Sequence, residues 1–280
     1  MVAPAGRRVS VGGISVVCPT YNSSPFIGET IATVRAQTTL PLEVIISDDG
    51  STDDTLAIIE ELQREITAFP IRLIRNAHGG PGAARNAGIR AAVGDWIAFL
   101  DSDDRWLPEK LACIEAAIRR YPDANFFCNS EYHRWLDGSE SLLDYGAVYM
   151  PNIPLQRQLF HENLFSTSAI VCRRNLLLTH GLFDERLRSS QDYELWLRLA
   201  PVIRPVFVRV PLGWYVDRAG NVTSGARWRR LWNLWCVLRR HRRAVNFPTF
   251  LGRTMGVGAN YLGVPMKYSP ERPIRDRRGA

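Results

Sequence analysis

Short apolar runs alternate with segments of helical periodicity along the first third of the chain. The runs that have the length of a strand lie at 14–18, 44–46, 71–74 and 96–100. A continuous apolar run of this length is typical of a strand that is buried on both faces of a parallel sheet. Between the first two runs, Ile27, Ile31 and Val34 have the spacing of one helix face. Alternating strands and helices predict an α/β fold with a mostly parallel, doubly wound sheet.

The rest of the chain continues this pattern with less regularity. Further strands are predicted at 125–128, 169–172, 206–210 and 213–216. Helices are predicted at 108–121 and 191–199, and Ser51 with Asp54 has the spacing of a capping box that would start an earlier helix. The segment 134–161 is irregular, and we expect a substrate-specific insertion there.

Polar residues follow three of the predicted strands at the point where each strand ends. These loops are Pro19 to Asn22, Asp48 to Ser51 and Asp101 to Asp104. Because right-handed crossovers bring the carboxyl ends of parallel strands to one edge, we expect the three loops to share a rim. Asp101 and Asp103 are hard oxygen ligands that suit Mg²⁺ or Mn²⁺ bridging to phosphate oxygens. The alternative is an acidic turn in which Asp104 caps the next helix.

The composition is that of a globular protein with a sizeable core. Hydrophobic residues make up 46% of the chain and charged residues 22%. No apolar run approaches the roughly 18 residues that span a bilayer, and residues 1–10 lack the apolar core of a signal peptide. The five cysteines have no CxxC spacing, which favours buried free thiols over disulfides or a zinc site. We therefore expect a cytoplasmic protein.

The net charge of +7 is unevenly distributed. From Arg204 to the end there are 16 Lys and Arg against 3 Asp and Glu, whereas the remainder has 19 against 25. A slightly acidic domain thus carries a basic C-terminal segment, and the two are expected to meet different partners.

Five short motifs together resemble family 2 inverting glycosyltransferases, which have the GT-A fold and a DxD motif. They cover roughly 14–221 and are Pro19 to Asn22, Asp48 to Ser51, Ala84 to Ile89, Asp101 to Asp104 and Gln191 to Trp196. Each motif is weak alone, but their order and spacing make the resemblance specific. It implies a nucleotide-diphospho-sugar donor, a divalent cation (Mn²⁺ or Mg²⁺) and transfer of the sugar to an acceptor hydroxyl with inversion. UDP is the donor nucleotide that the resemblance favours, with dTDP and GDP open.

The positions of this chain that match the family's motifs imply a donor site. The resemblance implies that the donor is bound by Pro19, Thr20, Tyr21, Asp49, Arg85, Asp101, Ser102 and Arg218. In this assignment Tyr21 stacks on or edges the base, Asp49 accepts hydrogen bonds from base or ribose, and Arg85 contacts the donor. Asp103 is the principal metal ligand, and Asp101 faces the ribose and the metal. The structural alternatives are packing for Tyr21, a turn cap for Asp49 and a solvated helix position for Arg85.

The resemblance also implies that Asp192 is the base that takes the proton from the acceptor hydroxyl. Many relatives have Glu before this aspartate, whereas this chain has Gln191. Without that neighbouring negative charge the pKa of Asp192 is expected to fall, unless burial raises it again. The alternative role for Asp192 is a charge at a helix N-terminus.

A second departure from the family lies at Arg218. Relatives often have a histidine there, before an Asn-x-Ser sequence, whereas this chain has Arg218, followed by Asn221 to Ser224. We expect Arg218 to contact the diphosphate and to supply a permanent charge in place of a titrating group.

The segment 228–243 predicts a helix that has tryptophans and leucines on one side and arginines at both ends. Basic amphipathic helices with tryptophan often lie on membrane surfaces. The alternatives are packing on the domain or on a second subunit of a homodimer.

The predicted organisation is a catalytic domain at 1–224, with a nucleotide-binding half at about 11–104 and an acceptor-binding half at about 105–224, followed by a basic helical extension at 225–280.

Three other functions compete with glycosyl transfer to a glycan or lipid-linked acceptor. A nucleotidyltransferase would need a Gly-rich phosphate loop after the first strand, and a dinucleotide-binding oxidoreductase would need GxGxxG there; neither follows Cys18. A non-catalytic protein that binds glycans or polyanions through the basic segment is the remaining alternative. The acids at Asp101, Asp103 and Asp192 argue against this non-catalytic alternative. We do not expect nucleic acid as a partner.

Overall fold

The structure is a computed structural model that describes residues 12–217 and 227–261. Within these ranges the strands are β1 (Ile14–Thr20), β2 (Glu43–Asp48), β3 (Ile71–Arg75), β4 (Trp96–Phe99), β5 (Arg105–Trp106), β6 (Phe126–Arg134), β7 (Glu140–Leu143), β8 (Ile170–Arg173) and β9 (Pro205–Val216). The helices are α1 (Ile27–Arg35), α2 (Thr55–Glu65), α3 (Pro81–Ala91), α4 (Lys110–Arg120), α5 (Tyr145–Val148), α6 (Leu155–His161), α7 (Arg174–His180), α8 (Gln191–Leu199), α9 (Arg227–Arg240) and α10 (Phe247–Tyr261).

The described strands form a single sheet in the order β3-β2-β1-β4-β8-β6-β9-β5, with β7 paired to β6. Strands β1 to β4 pair in parallel, which confirms the predicted α/β fold. Beyond β4 the sheet is mixed, because β8 is antiparallel to both β4 and β6. Strand β6 therefore runs in the same direction as β4, and β9 is parallel to β6. The carboxyl ends of β1, β2, β4, β6 and β9 thus lie at one edge of the sheet.

Strand β4 is apolar throughout because it separates two cores. Trp96, Ala98 and Leu100 belong to a cluster with the buried faces of α1, α2 and α4. Ile97 and Phe99 belong to a second cluster with α3, α7 and α8. Side chains alternate between the two faces of a strand, so both sets of positions must be apolar. Layers of helices on both faces are the doubly wound arrangement that the sequence predicts.

Two local predictions are wrong. The strands expected at 206–210 and 213–216 are one strand, β9, which remains paired to β6 across two irregularities in register. The capping box at Ser51 does not form, because the Ser51 hydroxyl donates to Asp48 Oδ1 at 2.5 Å. Helix α2 begins at Thr55, whose N–H donates to Asp53 Oδ1 at 3.1 Å.

Helices α9 and α10 pack against the domain near α8. Val237, Leu238 and Val257 are buried in the second core. Among the predicted tryptophans and leucines of this helix, Leu238 is buried whereas Trp232 is 63% exposed. Among the described residues, no helix is both long enough and apolar enough to cross a membrane.

Candidate active site

The loop that follows β4 is fixed in place by side chains from other elements. The Asp101 N–H donates to Ser168 Oγ at 3.0 Å, and the Ser102 carbonyl accepts from Thr30 Oγ1 at 2.9 Å. The Ser102 hydroxyl lies 2.8 Å from Ser23 Oγ. Hydrogen bonds from α1 and from the turn before β8 therefore hold the acidic loop at the carboxyl end of β4.

Asp104 does not cap the helix that follows, so the turn-only alternative is wrong for this residue. Its carboxyl group is buried and accepts from Ser168 Oγ at 2.5 Å and from the Val216 N–H at 3.4 Å. Helix α4 begins six residues later, at Lys110. Asp104 thus ties the loop to the turn before β8 and to β9, while Asp101 and Asp103 are only partly buried.

The acidic loop concentrates negative charge at the place where the sequence analysis expects a divalent cation. Burial raises the pKa of Asp104 well above its ordinary value, and the charges of Asp103 and Asp101 raise it further. This excess of negative charge is what a hard cation would offset. The described residues contain no group of three or more His, Cys, Asp and Glu side chains that could hold a metal ion. Asp101 and Asp103 are the partly exposed carboxylates of this loop and are oxygen ligands of the kind that such a cation prefers.

Arg85 of α3 reaches the same loop from a buried position. It is 5% exposed, and its Nη2 lies 2.5 Å from Asp101 Oδ1. Its Nε and Nη1 are buried without a hydrogen-bond partner among the described residues. The guanidinium carbon also lies 5.5 Å from the centre of the Phe183 ring. A buried guanidinium with unused donors is suited to an anionic oxygen that binds beside Asp101.

Two glycines bring α3 into this position. Gly80, immediately before the helix, has φ +94°, a conformation that side chains other than glycine rarely adopt. At Gly88 an added Cβ would lie 2.5 Å from Val17 Cγ1, so only glycine allows α3 to pack this closely on β1. The sequence around Arg85 is therefore glycine-rich for reasons of backbone geometry.

Asp49, Tyr21 and His78 lie together beyond the end of β2. The Asp49 carboxylate accepts from the Gly79 and Gly80 N–H groups, both at 2.8 Å, and its Oδ2 lies 3.0 Å from His78 Nδ1. The exposed Tyr21 ring lies 4.6 Å from the His78 ring. His78 was not predicted from the sequence, although the glycines after it mark the loop. Asp49 thus orders the loop that carries His78, and contact with a base stays a prediction.

Pro19 and Thr20 end β1 opposite Ser47 and Asp48 of β2. Thr20 is buried, and its hydroxyl has no hydrogen-bond partner among the described residues. A buried hydroxyl without a partner is uncommon and suggests that a ligand group would satisfy it.

Asp192 lies in the first turn of α8, close enough to Arg85 and Asp101 for their charges to affect it. Burial raises the pKa of Asp192, and the charge of Asp101 acts in the same direction. The Tyr193 N–H, the charge of Arg85 and a hydrogen bond from Asn163 oppose the rise. The Asn163 Nδ2 donates to Asp192 Oδ2 at 3.3 Å. Burial thus raises the pKa in spite of the neutral Gln191, which supports a base that titrates above an exposed aspartate.

Gln191 is itself buried at the junction of α8 and α3. Its Cγ lies 3.6 Å from the position that a Cβ on Gly82 would occupy, and its Oε1 has no hydrogen-bond partner within the described ranges. The amide therefore occupies a site where a second carboxylate would raise the pKa of Asp192 further.

Behind the acidic loop lies a buried polar cluster that the sequence analysis missed. Lys110 is fully buried and donates through Nζ to Asn129 Oδ1 at 2.8 Å and to the Ser168 carbonyl at 2.6 Å. Burial lowers the pKa of Lys110 to about 8. Glu131 is also fully buried and accepts from Tyr145 Oη at 3.0 Å. Burial raises the pKa of Glu131, and the charge of Lys110 opposes part of the rise. The sequence offers one sign of this cluster, because Lys110 occupies a position of α4 where the helical pattern predicts an apolar residue.

A second missed group lies at the end of β9, beside the acidic loop. Burial raises the pKa of Tyr215, and the charges of Asp104 and Asp217 raise it further. His133 Nε2 lies 3.2 Å from Asp217 Oδ2. The next residue, Arg218, lies outside the described residues, so its contact with a diphosphate stays a prediction.

The sheet and this site together define a class of protein. A mixed α/β sheet that presents a paired-carboxylate loop, a buried arginine and a half-buried aspartate at one edge has the arrangement of a GT-A nucleotide-sugar transferase. The chain belongs to glycosyl transferase family 2, whose family model matches residues 15–178. The family resemblance found in the sequence is therefore confirmed.

Relatives and solved structures agree with this assignment. A chondroitin synthase from Escherichia coli is 33% identical over 197 residues, which make up 68% of this chain and 26% of that protein. S. aureus TarS, solved with UDP-GlcNAc, has a TM-score of 0.70 and 22% identity over 89% of this chain and 73% of its own. The mannosyltransferase PcManGT from Pyrobaculum calidifontis, solved with GDP-Man and Mn²⁺, has a TM-score of 0.65 and 19% identity over 93% and 74%. These structural likenesses confirm the GT-A fold.

The chain matches only part of its curated relatives. It spans 30% and 66% of the length of two glycosyltransferases from Rickettsia conorii and Haemophilus influenzae that it also resembles. It therefore spans less than two thirds of the length of these relatives.

Proposed function

We propose that this protein transfers a sugar from a nucleoside-diphosphate donor, a UDP-sugar, to an acceptor hydroxyl with inversion at the anomeric carbon. The product would be a cell-surface polysaccharide, a glycolipid or another glycan. The observation that carries the proposal is Arg85, whose buried guanidinium has two unused nitrogens, contacts Asp101, and is close enough to Asp192 for its charge to lower the pKa of that carboxyl group. TarS and PcManGT, which share the fold, were solved with nucleotide-sugar donors.

The nucleoside end of the donor would lie along the ends of β1 and β2. Tyr21 and His78 offer neighbouring rings, one of which can stack on a base. The Thr20 hydroxyl supplies a buried hydrogen-bonding group without a partner of its own. Asp49 orders the His78 loop through the Gly79 and Gly80 N–H groups and has lone pairs left for base or ribose.

The diphosphate would lie between the acidic loop and Arg85. Asp101 and Asp103 would hold Mn²⁺ or Mg²⁺, which when bound acts as a Lewis acid for the leaving nucleoside diphosphate. Arg85 would donate from Nε and Nη1 to phosphate oxygens while its Nη2 remains on Asp101. Arg85 thereby aligns the diphosphate with the loop, and its charge stabilises the leaving group.

Asp192 would act as the general base on the opposite side of the sugar. It takes the proton of the acceptor hydroxyl, the hydroxyl oxygen bonds to the anomeric carbon, and the bond from that carbon to the diphosphate breaks. Attack from the face opposite the leaving group inverts the configuration. Burial raises the pKa of Asp192 towards a value that suits proton transfer, while Asn163 holds the carboxylate through Oδ2.

The thermal stability of the purified protein against UDP, dTDP, GDP and CMP, with and without Mn²⁺, tests this proposal. A ligand that binds only the folded state raises the melting temperature by mass action. We expect the largest rise with UDP, a dependence of that rise on Mn²⁺, and its loss in Asp103→Ala. Asp123→Ala is the matched control, because this exposed carboxylate lies in the turn after α4.

A melting temperature that no nucleotide changes would overturn the proposal. Salt-sensitive binding of heparin in that case would favour the alternative, a non-catalytic protein that binds polyanions.

A further inference from the structure

Helices α9 and α10 carry exposed apolar side chains that their packing on the domain does not use. We call Trp232, Phe247, Leu251 and Met255 the hairpin surface, because α9 and α10 are consecutive helices in contact with each other. All four side chains are exposed. The three on α10, Phe247, Leu251 and Met255, recur every four residues, which places them on one face of that helix. An exposed apolar stripe of this kind indicates an interaction surface.

The opposite faces of the two helices hold them on the domain. Val237, Leu238 and Val257 are buried in the core, and Phe250 packs 6.3 Å from the Phe160 ring. Asn233 Nδ2 donates to Ser189 Oγ at 2.9 Å. The core-facing sides therefore account for the attachment of the helices, and the hairpin surface is left on the outside.

Polar contacts strengthen this attachment and tie it to α8. Arg240 Nη1 lies 2.8 Å from Asp184 Oδ2 and 3.5 Å from Glu194 Oε1. Glu194 belongs to α8, the helix whose first turn carries Asp192. The hairpin surface is thus held in a fixed relation to the candidate base.

The hairpin of α9 and α10 is rich in positive charge. The sequence 227–261 contains eight arginines and no Asp or Glu. Arg239, Arg242 and Arg243 are exposed, and the Arg239 guanidinium lies 5.3 Å from the centre of the Trp235 ring. Trp235 in turn stacks on Trp232 with ring centres 5.1 Å apart. Arginine and tryptophan therefore lie side by side at the surface.

We propose that the hairpin surface docks on a membrane of anionic phospholipids. Its apolar side chains would enter the boundary between headgroups and acyl chains, and Arg239, Arg242 and Arg243 would contact lipid phosphates. Leu251 and Met255 gain free energy in hydrocarbon but gain little from a nucleic acid. A second copy of the same surface would place arginines against arginines without intervening acids. The charge and the aliphatic side chains thus favour a lipid surface.

Co-sedimentation of the full chain with vesicles tests the proposal. We expect the chain to sediment with vesicles made of equal parts phosphatidylglycerol and phosphatidylcholine, and to remain in solution with phosphatidylcholine alone. Binding should weaken as salt is added, because the arginine contribution is screened. Replacing all four residues of the hairpin surface by serine should weaken binding at least roughly tenfold, since their apolar area stays in water.

Two further variants make the result specific. Val93→Ser/Leu136→Ser changes two exposed apolar side chains elsewhere on the protein and should bind vesicles as the wild type does. Arg239→Glu/Arg242→Glu/Arg243→Glu retains the hairpin surface and should lose binding to the anionic vesicles. Unchanged melting temperatures show that each variant is folded.

Four results would overturn the proposal. The first is equal sedimentation with neutral and anionic vesicles, and the second is binding by the serine variant that matches the wild type. The third is a wild-type dimer that becomes a monomer in the serine variant, without any vesicle binding. The fourth is preference for a polynucleotide over the vesicles in direct competition. Vesicle binding requires no nucleotide, so this test is independent of the proposed transferase activity.

Discussion

Arg85 is the side chain whose removal should affect donor binding most specifically. Arg85→Met retains the long apolar stem against Phe183 and removes the guanidinium. The wild-type group has two nitrogens without partners beside the acidic loop. A hydrogen bond to a charged group contributes about 1.5–3 kcal/mol. Loss of such contacts to a diphosphate should therefore weaken UDP binding by about 3 kcal/mol, or roughly a hundredfold in Kd.

Isothermal titration with UDP in the presence of Mn²⁺ measures this effect. Arg85→Lys should fall between the wild type and Arg85→Met, because lysine retains the charge and loses the planar fork. Arg90→Met is the matched control: it lies on the same helix, its side chain is 58% exposed, and its nearest carboxylate, Glu185, is 3.7 Å away. Its Kd for UDP should equal that of the wild type. A folded Arg85→Met protein that binds UDP as tightly as the wild type would refute the reasoning.

Three further predictions concern the base, the buried cluster and the close approach of α3. Asp192→Asn should retain UDP affinity and lose turnover. The wild-type rate should fall with acidification at a higher pH than an exposed aspartate would give, because burial raises the pKa of Asp192. A pH–rate profile checks both points. Lys110→Met should destabilise the fold by about 3–5 kcal/mol in urea unfolding, because it removes the buried positive charge near Glu131 and leaves Asn129 Oδ1 and the Ser168 carbonyl without their donor. Glu131→Gln in the same chain should restore the electrostatic part of the loss. Gly88→Ala should also destabilise it, because overpacking against Val17 costs about 1–3 kcal/mol and exceeds a helix-propensity gain of up to about 1 kcal/mol.

Each of these three predictions has a result that contradicts it. Turnover in Asp192→Asn would exclude Asp192 as the base. A Lys110→Met variant as stable as the wild type would show that Glu131 does not depend on that lysine. A more stable Gly88→Ala variant would show that α3 can move away from β1 at little cost.

The first half of the fold could be predicted because its strands are short, apolar and buried on both faces. The run at 96–100 lies between two cores, so its composition reports the layers directly. In the second half, the helix predicted at 191–199 also matches α8 at both ends. Local pattern and tertiary burial agree in these segments, which is why the sequence alone was sufficient.

The second half depends on contacts between distant residues. The antiparallel entry of β8 and the continuity of β9 across its irregularities follow from pairing with β6, which no local pattern encodes. Ser51 was assigned to a helix cap because its spacing fits, but Asp48 at the end of β2 binds its hydroxyl. The Ser51 hydroxyl could bind either the start of the helix or the end of the strand, and it binds Asp48 at the end of the strand.

The candidate site shows the same division. Asp101, Arg85 and Asp192 could be named from their motifs, and the structure brings them together at one edge of the sheet. Lys110 and Glu131 were not named, because lysine and glutamate are usually exposed, and the apolar position of Lys110 in α4 is the one sign in the sequence of its burial. His78 follows no motif of its own and is placed by the hydrogen bonds of Asp49 to the loop.

The most direct test of the proposed activity is proton NMR of UDP-sugars incubated with the protein and Mn²⁺. The spectra report both release of UDP and the configuration of the first sugar product. We predict slow hydrolysis of one α-linked donor to the β-anomer, and none with Asp192→Asn. First release of the α-anomer would contradict inversion, and wild-type protein that leaves every donor intact, with and without acceptor glycans, would contradict the transferase activity itself.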